Sequence, residues 1–197
     1  YEGYPASICA SIDDEVVHGI PSDQVELREG QLLSIDCGLI LDGWQADSAL
    51  TVGVGRVSPE KEQLMRVTEE CFWRGARAAV NGNRLGDVGW AVQEHAEVHG
   101  YGVVRDLTGH GIGRHMHEDP SVPNFGTPGR GIRLHPGMTI CIEPMIAQGH
   151  YAVHQLADGW TIVTNDHSPC SHYEHTLAVV PEGPPEILTH PNAKWEG

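Results

Sequence analysis

The dipeptide Asp42-Gly43 constrains the fold of this chain more than any other short feature. It separates two runs with strand character within residues 31–52, and Asp-Gly is a preferred dipeptide of the two-residue type I′ turn. The sequence therefore predicts a tight antiparallel hairpin. In that hairpin residue 41 lies opposite residue 44 and, counting back, residue 38 lies opposite residue 47.

Two helices and further strands follow this hairpin. Ser58 precedes Pro59 at the head of an amphipathic segment over 59–80, where Asn81-Gly82 supplies the stop. A second helix is predicted from about residue 87 to residue 99, ended by Gly100. The remaining strand candidates are 139–147, 175–180 and a second hairpin formed by 151–156 and 160–164. Strands, then helices, then strands predict an α+β fold with a mainly antiparallel sheet, in one domain over residues 1–197.

Charge and cysteine usage narrow the class of partner. The formal net charge of −15 would repel nucleic acid and anionic membrane surfaces, so neither is expected as a direct ligand. The 5 cysteines are scattered and form no C-x-x-C pair, which indicates free thiols and a reducing compartment. No apolar run approaches the 18 or so residues of a membrane span. We therefore expect a cytoplasmic protein.

Two aspartates share one face of the first hairpin. Asp47 lies opposite Gly38, and Asp36 is two residues from Gly38, so the two carboxylates are diagonal neighbours with Cβ atoms roughly 7 Å apart. Like charges at that spacing repel unless a cation lies between them, and aspartate is a poor strand residue. A solvent-facing pair is the alternative, and this hairpin alone leaves the two interpretations about even.

Further residues with ligand chemistry lie downstream. They are His110 in a glycine-rich stretch, His117 before Glu118-Asp119-Pro120, Glu143 in Ile142-Glu143-Pro144, and Glu174 in Tyr173-Glu174-His175-Thr176. Taken one at a time, such a histidine is more often structural, and such a glutamate is usually on the surface. Their order along the chain carries more information than any one of them.

That order resembles the type I methionine aminopeptidases over nearly all 197 residues. The matching segments are His18-Gly19-Ile20-Pro21, Ile35-Asp36, Asp47-Ser48, Gly109-His110-Gly111-Ile112-Gly113, Pro136-Gly137-Met138-Thr139, Ile142-Glu143-Pro144-Met145 and Tyr173-Glu174-His175-Thr176. The resemblance implies a pita-bread fold, in which a central curved antiparallel sheet carries helices on its outer face and encloses the site.

The resemblance also implies a dinuclear metal site and a reaction. Asp36 would bind one metal ion, Asp47 and Glu174 would bridge both, and His110 and Glu143 would complete the second. Two divalent ions, Co, Mn, Fe or Zn, suit four carboxylates and one imidazole. A metal-bridging hydroxide would attack the peptide bond after the initiator methionine, with Glu143 as general base. His117 would bind the developing oxyanion, and His18 would contact the backbone around the departing amide.

The same resemblance describes the substrate. The side chains that match its methionine pocket are Tyr1, Tyr4, Cys9, Met116 and Trp160. The expected partners are nascent polypeptides with an N-terminal methionine. We expect a monomer, and association with the ribosome stays open.

The sequence departs from the family pattern, and it leaves two other functions open. Met116 replaces the aromatic residue common beside His117, and the helical segment expected before Tyr1 is missing, so we expect a catalytic domain without that segment. Aminopeptidase P or prolidase, which cleave before proline, would share the fold and metal ligands. A pita-bread protein that binds without catalysis is the alternative from another class, although such proteins typically lose ligands.

Overall fold

The first hairpin forms with the predicted register. The computed structural model describes residues 2–190, 192–193 and 195. Strands β3 (Leu32–Leu41) and β4 (Trp44–Gly53) pair so that Leu41 faces Trp44 and Gly38 faces Asp47. Asp42 and Gly43 have φ angles of 51° and 77°, as a type I′ turn requires.

This hairpin belongs to an eight-stranded antiparallel sheet. Its other strands are β1 (Cys9–Ile12), β6 (Gly109–Gly111), β7 (Glu118–Val122), β8 (Thr139–Ile142), β13 (Glu174–Ala178) and β14 (Glu186–Ile187). The strand order is β1-β3-β4-β13-β8-β6-β7, with β14 paired to the end of β13. Strands that are distant in sequence therefore become neighbours at the centre, where β13 lies between β4 and β8.

Two three-stranded sheets complete the strand structure of the described residues. One contains β2 (Glu15–Val17), β10 (Val153–Gln155) and β11 (Ile162–Thr164), and the other contains β5 (Gly102–Val103), β9 (Met145–Ala147) and β12 (Cys170–His172). Pairing of Gln155 with Ile162 confirms the second predicted hairpin.

The prediction of one strand over 139–147 is wrong. The segment divides at Glu143-Pro144 into β8 and β9, which belong to different sheets. Pro144 has no backbone N–H to donate to a ladder, so the chain leaves the larger sheet at this point. The break places Glu143 in the connection between the two strands.

Both predicted helices are present, with shifted ends. Helix α1 (Pro59–Ala78) begins after Ser58, whose side chain accepts a hydrogen bond from the Lys61 N–H. It ends two residues before the predicted limit at residue 80. Helix α2 (Leu85–Val98) begins two residues earlier than predicted, and Gly100, with a φ of 80°, follows its end as expected.

The main core lies between the helices and the larger sheet. Phe72 of α1 and Val88 of α2 pack in one cluster with Ile142 of β8 and Leu177 of β13. Because side chains alternate along a strand, Glu174 and Thr176 of β13 point to the opposite face. The helices thus cover one face, as predicted, and the other face carries the polar side chains.

The cysteines and the apolar segments were the subject of two predictions from composition. All five cysteines are free. No helix in the described part of the chain is long and apolar enough to cross a membrane.

Packing between the helices gives a matched stability test. Val92 is fully buried, and its Cγ2 lies close to Gly75 of α1, whereas Val98 on the same helix is 76% exposed. We expect Val92→Ala to lower the free energy of unfolding by roughly 2 kcal/mol, since it removes two buried methyl groups and leaves a cavity. Val98→Ala should change it by less than about 0.5 kcal/mol. Urea denaturation followed by circular dichroism measures both, and equal losses would contradict this packing.

Candidate metal centre

The five residues predicted as metal ligands line a single cavity of about 530 Å³. Asp36 comes from β3, Asp47 from β4, His110 from β6, and Glu174 from β13, while Glu143 follows β8 directly. These strands are neighbours in the larger sheet, so its topology brings together residues up to 138 positions apart. The structure confirms that the five side chains share one site, and their roles as ligands stay a prediction.

Asp36 and Asp47 interact directly in this cavity. Gly38 pairs with Asp47 in the hairpin, which places Asp36 diagonally across the ladder. The two carboxyl groups are close enough to hydrogen-bond when one is protonated. Burial, and then the negative charge of Asp47, raise the pKa of Asp36 to about 8. Burial raises the pKa of Asp47 as well.

Glu143 and Glu174 add two more buried carboxyl groups. Burial raises the pKa of each well above its usual range, and the charges of neighbouring carboxylates raise both further. Oε1 of Glu174 is buried without a hydrogen-bond partner in the described part of the chain. No lysine or arginine is found among the described residues that line the cavity. Ionised carboxylates in this arrangement therefore need a bound cation.

The imidazole of His110 is oriented as a metal ligand. Nδ1 lies 2.9 Å from the carbonyl oxygen of Gly111, which can only accept, so Nδ1 carries the proton. Nε2 then presents its lone pair to the cavity, 3.9 Å from Oδ2 of Asp47 and 3.7 Å from Oε1 of Glu143. A carbonyl that fixes the tautomer in this way is typical of metal-binding histidines. Burial lowers the pKa of His110, which favours the neutral form that metals bind.

Donor atoms gather into two groups that share Glu174. One group is His110, Cys141 and Glu174, and the other is Asp36, His172 and Glu174; within each, the donor atoms lie within 4.8 Å of one another. These side chains fit divalent cations, because buried carboxylate and imidazole groups converge without another counter-charge. Glu174 is the member that both groups have in common.

Cys141 and His172 were not predicted from the sequence. Each lies two residues before a predicted ligand, Glu143 and Glu174 respectively. That spacing is a weak signal, because each pair spans the end of a strand and strand alternation does not continue across it. Burial, and then His18, lower the pKa of His172 to about 3, while burial raises the pKa of Cys141 well above its usual range.

Hydrogen bonds from polar side chains hold the backbone around the predicted ligands. Thr176 Oγ1 accepts from the Asp47 N–H at 3.0 Å and donates to the Asp47 carbonyl at 2.9 Å. Ser48 Oγ donates to the carbonyl of Glu174 at 3.1 Å, and Asn124 Nδ2 donates to that of Glu143 at 2.9 Å. These bonds fix the backbone from which the Asp47, Glu143 and Glu174 side chains extend, which is how supporting residues keep a metal site in shape.

His18 and His117 line the same cavity beside the carboxylates. The rings of His117 and His110 lie edge to face, with centroids 4.3 Å apart. Burial lowers the pKa of both His18 and His117, with smaller contributions from His117 on His18 and from His110 on His117. His18 also has a φ of 60°, a left-handed conformation that is uncommon for a side-chain-bearing residue.

Several less polar side chains also line the cavity. Tyr4, Cys9, Met116 and Trp160 line it, and the rings of Tyr4 and Trp160 meet edge to face at 5.2 Å. The Tyr4 hydroxyl donates to the carbonyl of Gly19 at 2.7 Å, which fixes the ring. Tyr1, predicted for the same pocket, lies outside the described residues.

The amino-acid sequence matches a known protein family and several named relatives. Metallopeptidase family M24 matches residues 1–181. The methionine aminopeptidase of Clostridium acetobutylicum is 53% identical over 189 residues, which is 96% of this chain and 75% of that protein. Methionine aminopeptidase 1 of Mycobacterium tuberculosis is 50% identical over 195 residues, covering 96% and 73% respectively.

Solved structures are similar as well. The crystal structure of methionine aminopeptidase from Thermotoga maritima matches with a TM-score of 0.94 at 44% identity, covering 96% of this chain and 76% of that one. The prolidase of Pyrococcus furiosus matches with a TM-score of 0.73 at 22% identity, covering 98% and 50%. At that identity the likeness concerns the fold alone, and it confirms the pita-bread prediction together with the closer structure.

The raised pKa of Asp36 predicts how pH acts on the metal-free protein. The folded state holds the Asp36 proton up to about pH 8, whereas the unfolded chain releases it near pH 4. Between these two pH values the folded state therefore binds more protons than the unfolded chain. The contribution of Asp36 to the free energy of unfolding is lost as the pH rises through that window. The asparagine in the Asp36→Asn variant cannot ionise, so this variant does not lose stability in this way as the pH rises.

We expect the free energy of unfolding of the metal-free wild type, measured relative to Asp36→Asn, to fall by at least about 1 kcal/mol between pH 5 and pH 8. Urea titrations in the presence of a chelator measure it. A difference that stays constant or grows with pH would contradict the buried carboxyl pair.

Proposed function

The chain belongs to metallopeptidase family M24, and from this membership we propose that it is an aminopeptidase that removes the N-terminal methionine from polypeptides. The observation that carries the proposal is the convergence of Asp36, Asp47, His110, Glu143 and Glu174 on one cavity. Relatives named methionine aminopeptidase at 45–53% identity support the choice of substrate.

Two divalent ions fit the donor groups best. Glu174 belongs to both groups and has a buried oxygen without a partner in the described residues, which supports a bridging role. With carboxylates and imidazole as ligands, Co, Mn, Fe and Zn are the candidates. When bound, such ions polarise a carbonyl and lower the pKa of water, whose value in bulk is about 15.7.

Glu143 is our candidate for the general base. It lies at the break between β8 and β9, where its carboxyl group faces Nε2 of His110 at 3.7 Å. Its carbonyl is held by Asn124, so the side chain starts from a fixed position. From there the carboxylate would take a proton from the attacking water and pass it to the leaving amine.

His117 and His18 would act on the substrate peptide. Burial lowers the pKa of each, which favours the neutral form. A neutral imidazole keeps one N–H donor, so His117 would donate to the scissile oxygen as negative charge develops. His18 would contact the backbone on the other side of the scissile bond.

The less polar side chains that line the cavity suit a methionine side chain. A thioether is unbranched and polarizable, and Met116 and Trp160 offer soft, apolar contacts for it. Burial, and then the charge of Asp36, raise the pKa of Cys9 to about 11, so the thiol stays protonated. Cys9 therefore supplies contact area and does not act as a nucleophile.

The cellular setting completes the proposal. Nascent polypeptides would be the substrates, and free cysteines are compatible with the reducing cytoplasm. We propose a monomeric catalytic domain that acts alone or beside the ribosome.

Removal of Glu143 tests the assigned base. We expect Glu143→Ala to lower kcat for methionine release from Met-Ala-Ser by at least roughly 10²–10⁴-fold, since one side chain provides a ligand and the base. Circular dichroism should show a folded variant. Glu182→Ala, a change of the same kind at an exposed site, should keep wild-type turnover. Wild-type turnover in Glu143→Ala would refute the role.

Substrate choice tests the alternative functions. We expect metal-dependent release of methionine from Met-Ala-Ser and no comparable cleavage of Ala-Pro-Ser. The reason is that the less polar side chains in the cavity fit a long apolar side chain. A preference for the proline peptide would favour the prolidase interpretation. If neither peptide were cleaved at any of the four candidate metals, a binding module would be favoured instead.

A further inference from the structure

His172 is a buried histidine that the proposed mechanism does not use. Its side chain is 2% exposed and lines the cavity beside Glu174. Neither ring nitrogen has a hydrogen-bond partner in the described part of the chain. A buried polar atom without a partner destabilises the fold, and the unprotonated nitrogen of this ring has a lone pair that a cation in the cavity could bind.

The backbone fixes where this imidazole points. His172 ends β12 and pairs with Met145 of β9. Thr51 Oγ1 accepts from its N–H at 2.8 Å and donates to its carbonyl at 2.9 Å. The next residue, Tyr173, packs its ring against Phe72 on the core side. Residues 172 and 174 therefore face the cavity together.

The distance between His172 and Glu174 fits two ligands of one ion. Nε2 of His172 lies 3.6 Å from Oε2 of Glu174, which is too long for a hydrogen bond. Two donors that are each about 2.1 Å from a cation are separated by this distance when the angle at the cation is about 120°. An oxygen of Asp36 completes the group within 4.8 Å.

We propose that His172 is a nitrogen ligand of the ion that Asp36 and Glu174 hold. This inference rests on the proposed dinuclear site and adds a donor to it. His110 belongs to the other donor group, so each ion position has one imidazole. Imidazole suits Zn, Fe, Ni and Cu better than Mg or Mn, so His172 would shift this position towards the former.

The test counts imidazole ligands directly. In the Co(II)-loaded full chain, each metal-bound histidine gives one strongly shifted, solvent-exchangeable N–H proton signal. We expect two such signals in the wild type, from His110 and His172, and one in His172→Gln. His154→Gln, at an exposed histidine that contacts Asn165, is the matched control and should keep two.

Metal affinity gives a second readout. Isothermal titration should show that His172→Gln weakens one of the two Zn sites by at least roughly tenfold, with a smaller change for Mn. Equal losses of Zn affinity and Mn affinity would overturn the proposal, because a residue with only a structural role would affect the binding of both metals alike. A single shifted signal in the wild type would overturn the proposal as well. That result does not depend on whether the His172→Gln variant folds.

The two proposals fail in different ways. An active wild type with one shifted signal refutes His172 as a ligand and leaves the aminopeptidase function standing. A wild type with two signals that His172→Gln reduces to one, but without methionine release, supports the ligand and refutes the function.

Discussion

Repulsion among buried carboxyl groups is the constraint on which the rest of the structure depends. Asp36, Asp47, Glu143 and Glu174 converge in one cavity, where burial raises the pKa of each and the charges of neighbouring carboxylates raise the pKa of Asp36, Glu143 and Glu174 further. No lysine or arginine among the described cavity-lining residues offsets them. The free energy to hold such a group must come from the surrounding fold, and a bound cation relieves it. The chemistry of the family follows from that need for cations.

The fold meets this cost by separating two faces of one sheet. Along β13, His175 and Leu177 contact the core around Phe72, while Glu174 lines the cavity and Thr176 lies on the same side of the strand as Glu174. Helices α1 and α2 cover the first face with a dry core. Hydrogen bonds from Thr176 and Ser48 then fix the strand backbones on the second face. A packed core on one side therefore provides the rigidity that a metal site on the other side requires.

Local patterns predicted what depends on local geometry. The Asp42-Gly43 turn set the register that pairs Gly38 with Asp47, and Ser58-Pro59 marked the start of α1. The more distant ligands came from the family resemblance, because no local rule joins β6 to β13. The break at Glu143-Pro144 was missed because both halves have strand composition, although Pro144 between them is a residue that interrupts a strand ladder. His172 was missed because its strand ends one residue before the recognised motif begins. The comparisons confirm the family and the fold, while the individual ligand roles stay predictions.

The central claim is that two cations occupy the cavity through these side chains. Anomalous diffraction from crystals of the Co(II)-loaded protein tests it most directly. We predict two anomalous peaks about 3.5–4 Å apart, with Glu174 and Asp47 between them and Glu143 and His110 bound to one of the pair. Peaks at the protein surface, or a cavity without any peak at saturating metal, would contradict the account.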